Sequence, residues 1–165
     1  MGKEYTIFIN SDNGIDDNGA KSLIKYSFDW SILEQGEYEM SFTFLSGVEK
    51  TELAVGEKLL TGMVVDVIVP FSSNRYEVSA APNSYAGSTN AIGFIKLESV
   101  DRWHASHHPH FSMRQWVSQV DNPTIKLSGA PSGNDFSIKI RAATGGVPST
   151  TPTTYNMILK LKHIC

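Results

Sequence analysis

The sequence predicts an all-β fold, a two-sheet β-sandwich of jelly-roll or Greek-key type, and three observations carry that expectation. First, Tyr38, Met40, Phe42 and Phe44 alternate with Glu39, Ser41 and Thr43, the period of a strand with one buried face. Phe136, Ile138 and Ile140 repeat the pattern, and so do Met157, Leu159 and Leu161. Second, the alternating segments are separated by stretches rich in Asn, Asp, Gly, Ser and Pro, the residues that make turns. Third, no long helical period interrupts them. Strands that bury one face must stack on a second sheet or curl into a barrel, so an up-and-down barrel is the structural rival.

Taken in order, residues 5–9 form a first short strand, ended by a loop over residues 10–19 with the turn pairs Asn13-Gly14 and Asn18-Gly19. Ile24, Tyr26, Phe28 and Trp30 alternate with Lys25, Ser27 and Asp29 and predict a second strand. A turn over residues 31–36 would make it the antiparallel neighbour of the Tyr38 strand. Tyr26, Phe28, Trp30, Phe42 and Phe44 then supply much of the core, each worth roughly 2–3 kcal/mol when fully buried. Residues 51–55 form a strand or an irregular segment. Residues 59–69 are apolar in both registers apart from Asp66, as expected of a central strand covered on most of both faces, and Pro70 ends it. Residues 76–80 are a weaker strand and residues 82–90 a loop. Residues 92–100 form a further strand, with Phe94 and Ile95 on opposite faces. Met113, Trp116, Val117 and Val120 have helical spacing over barely two turns, and Asp121-Asn122-Pro123 stops them. Residues 125–127, the Phe136 strand and the Met157 strand complete about eight or nine strands.

The 165 residues suit one domain, and 41% hydrophobic residues suffice for a core without metal or disulfide. A net charge of −3 provides no broad cationic surface, and no two Lys or Arg residues are adjacent, so nucleic acid is not an expected partner. The single cysteine, Cys165, excludes an internal disulfide and points to a reducing compartment. Residues 1–6 lack the apolar region of a signal peptide, and no apolar run reaches the length of a membrane span.

Chemistry is sparse. Asp12, Asp16 and Asp17 lack the spacing of a calcium loop, and a solvated loop accounts for them. His104, His107, His108 and His110 cluster around Pro109. Folded as a loop, these imidazoles have donor atoms for zinc or copper, but no cysteine is near and Asp101 is the only nearby acid. The segment therefore reads as a contact loop, with His107, His108 and His110 as interface candidates and a titration near pH 6.5 able to bias an interface. No metal and no cofactor are expected. Thr151 and Thr153 are further interface candidates, on the exposed excursion of residues 144–154. No Gly-x-Ser-x-Gly elbow or phosphate loop is present, and Glu37 and Glu39 alternate with core residues and face water, so no catalytic residue is assigned. Trp103 and Trp116 are the aromatic candidates for a ligand-binding surface, which a carbohydrate-binding or host-attachment module would use.

Three stretches carry a resemblance to a known group. Phe28-Asp29-Trp30 with Glu34-Gln35-Gly36-Glu37-Tyr38-Glu39-Met40-Ser41-Phe42 is one, and Ala91-Ile92-Gly93-Phe94-Ile95 is a second. Asp121-Asn122-Pro123-Thr124-Ile125 with Ala130-Pro131-Ser132-Gly133-Asn134-Asp135-Phe136-Ser137-Ile138 is the third. In order and content they resemble small β-sandwich virion proteins of large DNA viruses of algae and protists. The resemblance implies a non-enzymatic minor capsid, cementing or vertex protein. Its partners would be other capsid proteins or further copies of itself, and it would be assembled into virions in the host cytoplasm.

Overall fold

The computed structural model describes residues 2–16, 22–47, 49–52, 62–68, 76–77, 87–99, 111–141 and 154–164. The regular structure among the described residues is almost entirely antiparallel strand: β1 (Glu4–Asn10), β2 (Leu23–Ser27), β3 (Tyr38–Ser46), β4 (Glu49–Glu52), β5 (Gly62–Ile68), β6 (Tyr76–Glu77), β7 (Gly87–Ser88), β8 (Ala91–Ser99), β9 (Phe111–Ser118), β10 (Ile125–Leu127), β11 (Asp135–Arg141) and β12 (Tyr155–His163). Two single 3₁₀ turns, Ser11–Asn13 and Trp30–Ile32, are the only helical pieces among them.

Ten strands form one sheet in the order β1-β12-β3-β9-β8-β5-β11-β2, with β10 beside β3 and β4 beside β9. β6 and β7 pair separately. The sheet curls until its two ends approach. The Tyr26 hydroxyl of β2 donates to the Asn10 carbonyl at the end of β1 at 3.1 Å. Ile15, just beyond the first 3₁₀ turn, exchanges backbone hydrogen bonds with Lys25 at 2.8 and 2.9 Å. Curling lets one sheet enclose a core on its concave side, which a flat sheet cannot do.

That core is made by the alternation. Tyr38, Met40 and Phe44 of β3 and Tyr155, Met157, Leu159 and Leu161 of β12 are buried, as are Ile24, Tyr26, Phe136, Ile138 and Ile140 from the far end of the sheet. Phe44 stacks on Tyr155 at 4.8 Å and Tyr26 on Phe136 at 5.3 Å. β5 lies between β8 and β11 as a central strand should. Met63, Val65 and Val67 are fully buried on one face, and Val64 and Asp66 are buried on the other. Asp66 is tolerated because Arg141 of neighbouring β11 donates from Nε to its Oδ2 at 2.7 Å.

Four expectations are corrected. The strand predicted through Trp30 ends at Ser27, because Asp29 accepts a hydrogen bond from the Ser31 amide at 3.0 Å and starts a 3₁₀ turn. β2 and β3 are not neighbours. The segment between them is tied elsewhere, Phe28 N to Asn134 O at 2.9 Å and Trp30 N to Gly133 O at 3.2 Å, so β2 pairs with β11 while β3 pairs with β12. Phe28 and Phe42 are consequently only partly buried at the core margin. Residues 113–120 are not helical. β9 runs through Ser118 in register with β8, and Val120 is 92% exposed, so cross-strand pairing prevails over a weak two-turn helix.

Candidate functional site

Trp116 is corrected as a ligand-binding candidate. Its side chain is 4% exposed within the core cluster, and its backbone N–H donates to the buried Ser46 Oγ at 2.7 Å, so its ring offers no face to a ligand. Trp103, His107, His108, His110, Thr151 and Thr153 lie outside the described residues. Tyr26, Trp30 and Tyr38 are buried. Trp30 in particular is wedged edge-on against Phe28 and Phe136 at 4.7 and 5.5 Å. Among the described residues no group of three or more potential metal ligands comes together, and no helix is long and apolar enough to cross a membrane.

Three surface features remain as candidates. One is a cleft of about 290 Å³ between the 3₁₀ turn at Trp30–Ile32 and residues 130–134, with Asp29, Ser31, Gln35 and Ser132 on its rim. The Asp29 carboxylate is committed to the Ser31 hydroxyl and amide, which hold it below its usual range. The cleft lining is mostly apolar, with Leu33, Ala130 and Pro131 in its wall, and Trp30, itself buried, offers no aromatic platform. A second feature gathers both ends of the described chain around Glu34. Its carboxylate pairs with Lys3, and that hydrogen bond lowers the Glu34 carboxyl and raises the Lys3 ammonium. Its backbone carbonyl accepts from Tyr38 Oη at 2.6 Å. The His163 ring lies 5.0 Å from the Tyr38 ring, with Nε2 3.1 Å from the Gln35 carbonyl oxygen. This arrangement fastens strand ends, since each polar group already has a structural partner.

The third feature is an apolar stripe on the convex face of the sheet. Phe8 on β1 is 79% exposed and stands opposite Ile158 of β12. Ile158 stands opposite Thr43 of β3. Leu45, two residues along β3 on the same face, is 49% exposed and opposite Val117 of β9. Val117 is opposite Lys96 of β8, and Phe94, two residues along β8, is 53% exposed. At about 4.8 Å per strand, Phe8 to Phe94 spans roughly 20 Å over five neighbouring strands. Lys160 and Glu98 on this face flank the stripe with exposed charge. An apolar centre with a polar rim is the composition of a protein-contact surface, and single exposed apolar residues would not need that reading.

Phe94 is held outward by its backbone. The Asn122 side chain accepts from Phe94 N at 2.8 Å and donates to Phe94 O at 2.9 Å, continuing the ladder where β9 has ended. Gly93 is needed beside it, because a Cβ there would lie 2.4 Å from Asn122 Oδ1 and 2.8 Å from the Phe42 ring. The stripe left a faint mark in the sequence. Phe8 occupies the otherwise polar register of Glu4, Thr6 and Asn10, and Phe94 and Ile95 cannot both face inward.

No protein-family model matches the chain, and no curated protein is similar to it.

Proposed function

We propose that this chain is a non-enzymatic structural protein of a virion, a minor capsid, cementing or vertex component that works through protein–protein contacts. The observation that carries the proposal is the stripe through Phe8, Ile158, Leu45, Val117 and Phe94. Phe8, Leu45 and Phe94, left in water beside the half-buried Ile158 and Val117, cost solubility, and burial against a neighbouring subunit removes that cost. In a symmetric shell the same modest contact is repeated many times, so a single stripe suffices for each copy. The concave side is filled by Met40, Phe44, Met157 and Leu159 and serves packing, leaving the outer face and the loops for recognition. In this proposal the curled sheet belongs to a jelly-roll-like sandwich, and the resemblance of the Phe28–Phe42, Ala91–Ile95 and Asp121–Ile138 stretches to viral sandwich proteins supplies the virion context.

The test is mass spectrometry of virions purified through a density gradient from cells making the tagged chain, beside the triple variant Phe8→Ser/Leu45→Ser/Phe94→Ser. The parent chain should band with particles and the variant should be depleted at least about tenfold, as expected if each truncated apolar side chain contributes about 1 kcal/mol or more. A parent chain absent from particles defeats the proposal. Equal incorporation of the variant removes the stripe from it.

A further inference from the structure

We infer that Asn13 is a site of spontaneous modification, where the chain converts its own asparagine to aspartate or isoaspartate and so unlatches the two ends of the sheet. The inference holds or fails independently of the virion reading, since it rests on the chemistry of one loop.

The loop after β1 closes the curl of the sheet. Its backbone leaves the 3₁₀ turn Ser11–Asn13 and runs extended through Gly14, with φ −107° and ψ 176°. It then reaches Ile15, which exchanges hydrogen bonds with Lys25 of β2 at 2.8 and 2.9 Å. Gly14 fills a slot with no room for a side chain. A Cβ there would lie 2.2 Å from Ile24 Cγ2, 2.8 Å from the Tyr26 ring and 3.0 Å from the Lys25 carbonyl oxygen. The closure therefore demands glycine at position 14, because close-packed groups cannot yield that much space. That demand decides the chemistry of the residue before it.

An asparagine side chain is open to attack by the amide nitrogen of the next residue. The Gly14 nitrogen gives its proton to hydroxide and bonds to Asn13 Cγ, while the Cγ–Nδ2 bond breaks and ammonia leaves. The product is a cyclic imide. Water then opens the ring at one of its two carbonyls. Opening at Cγ leaves aspartate, and opening at the backbone carbonyl leaves isoaspartate. Water is the only co-reactant, and nothing is oxidised or reduced. A side chain on the attacking residue hinders the approach, and glycine has none.

Among the described asparagines, Asn13 alone meets the conditions. It is exposed, and its side chain makes no hydrogen bond with a described residue, so nothing holds Cγ away from the next amide. Asn10 and Asn156 bond each other at 2.8 Å, and Asn10 Oδ1 also accepts from the Asp12 amide. Asn122 is fixed to Phe94 N and O and precedes Pro123, which has no N–H. Asn90 and Asn134 precede Ala91 and Asp135, whose side chains hinder attack. Ser11–Asn13 is a single 3₁₀ turn, an element that opens locally at small cost, and opening it brings Gly14 N to Cγ. Isoaspartate then inserts one methylene into the main chain between residues 13 and 14. The slot against Ile24 and Tyr26 cannot take up that length, so the Ile15–Lys25 pair gives way. Either product also adds a negative charge to a loop that already carries Asp12 and Asp16.

Ageing the purified full chain at neutral and mildly alkaline pH, followed by peptide mapping with electron-transfer mass spectrometry, tests this. The parent is run beside Asn18→Gln, which removes the second Asn-Gly pair from the Glu4–Lys21 tryptic peptide. Asn13 should convert at least about tenfold faster than Asn90 or Asn134, and faster still as the pH rises. Hydrogen exchange at the Lys25 amide, which donates to Ile15 O, should quicken in the aged parent. It should stay unchanged in aged Asn13→Gln, whose longer side chain needs a larger ring. Freshly prepared Asn13→Asp, with the charge but not the inserted methylene, should also exchange as the fresh parent does. Conversion of Asn13 no faster than that of Asn90 and Asn134 overturns the site. Conversion to isoaspartate that leaves Lys25 exchange unchanged overturns the unlatching.

Discussion

Arg141→Met should cost this protein about 3–5 kcal/mol of stability, while Asp66→Leu/Arg141→Met should cost almost nothing or add stability. The magnitude follows from where the pair sits. Nε and Oδ2 are 2.7 Å apart, and both side chains are only 8% exposed. An exposed pair of comparable type, Lys25 with Asp135, is 3.6 Å apart with side chains more than half exposed, and such pairs contribute about 0–1 kcal/mol. Burial changes the sign of the problem. Both ions have lost their water, and Oδ1 of Asp66 is also buried with no hydrogen-bond donor among the described residues, so the carboxylate is incompletely compensated. Removing Arg141 alone leaves that carboxylate buried without its charged partner. Removing both charges leaves two apolar side chains on a face where Val64 is already buried. Urea unfolding monitored by tryptophan fluorescence gives the three free energies, and at about 2–4 °C per kcal/mol the single variant should melt roughly 10 °C lower. If Arg141→Met loses less than about 1 kcal/mol, or the double variant loses as much as the single, burial does not govern this pair and the reasoning is wrong.

Ser46→Ala should cost about 1–3 kcal/mol, measured by the same unfolding assay, because it orphans the buried Trp116 N–H and removes a donor from the Gly47 carbonyl. Alkali should unfold the protein through its core phenols. Burial pushes the Tyr155 and Tyr26 hydroxyls up; the neighbouring Tyr26 phenol adds to the rise in Tyr155, while its hydrogen bond with Tyr155 partly opposes the rise in Tyr26. A folded pKa above the unfolded value of about 10 gives stability that is complete below pH 10 and lost as pH rises beyond it. Tyrosinate absorbance at 295 nm should therefore show these two groups ionising together with loss of near-ultraviolet circular dichroism, and ionisation in the intact fold would contradict their burial.

The strands were legible wherever one face is apolar. At Tyr38–Phe44, Phe136–Ile140 and Met157–Leu161 the two-residue period reads directly as inside and outside, because successive side chains of a strand leave on opposite faces. The double-sided strand at Met63–Val67 was also readable, since only a central strand needs apolar residues in both registers. Residues 113–120 were misread because Met113, Trp116, Val117 and Val120 fit a helical face as well as a strand, and only the partner strand decides between two weak local preferences. The candidate site was far less legible. A stripe that crosses β1, β12, β3, β9 and β8 takes one or two residues from each, so it has no period in the sequence.

What the sequence determined by itself is the class: an all-β chain whose alternating residues divide a core from a surface, since that division is a local property of each strand. The neighbourhood of each strand depends on the whole fold. The fold placed β2 beside β11 instead of β3, buried Trp116, brought Asp66 to Arg141, and left β1 at the end of the sheet with Phe8 in water. Pairing is set by contacts between residues far apart in the chain, and no short-range period records which strand will supply the other half of a hydrogen-bond ladder.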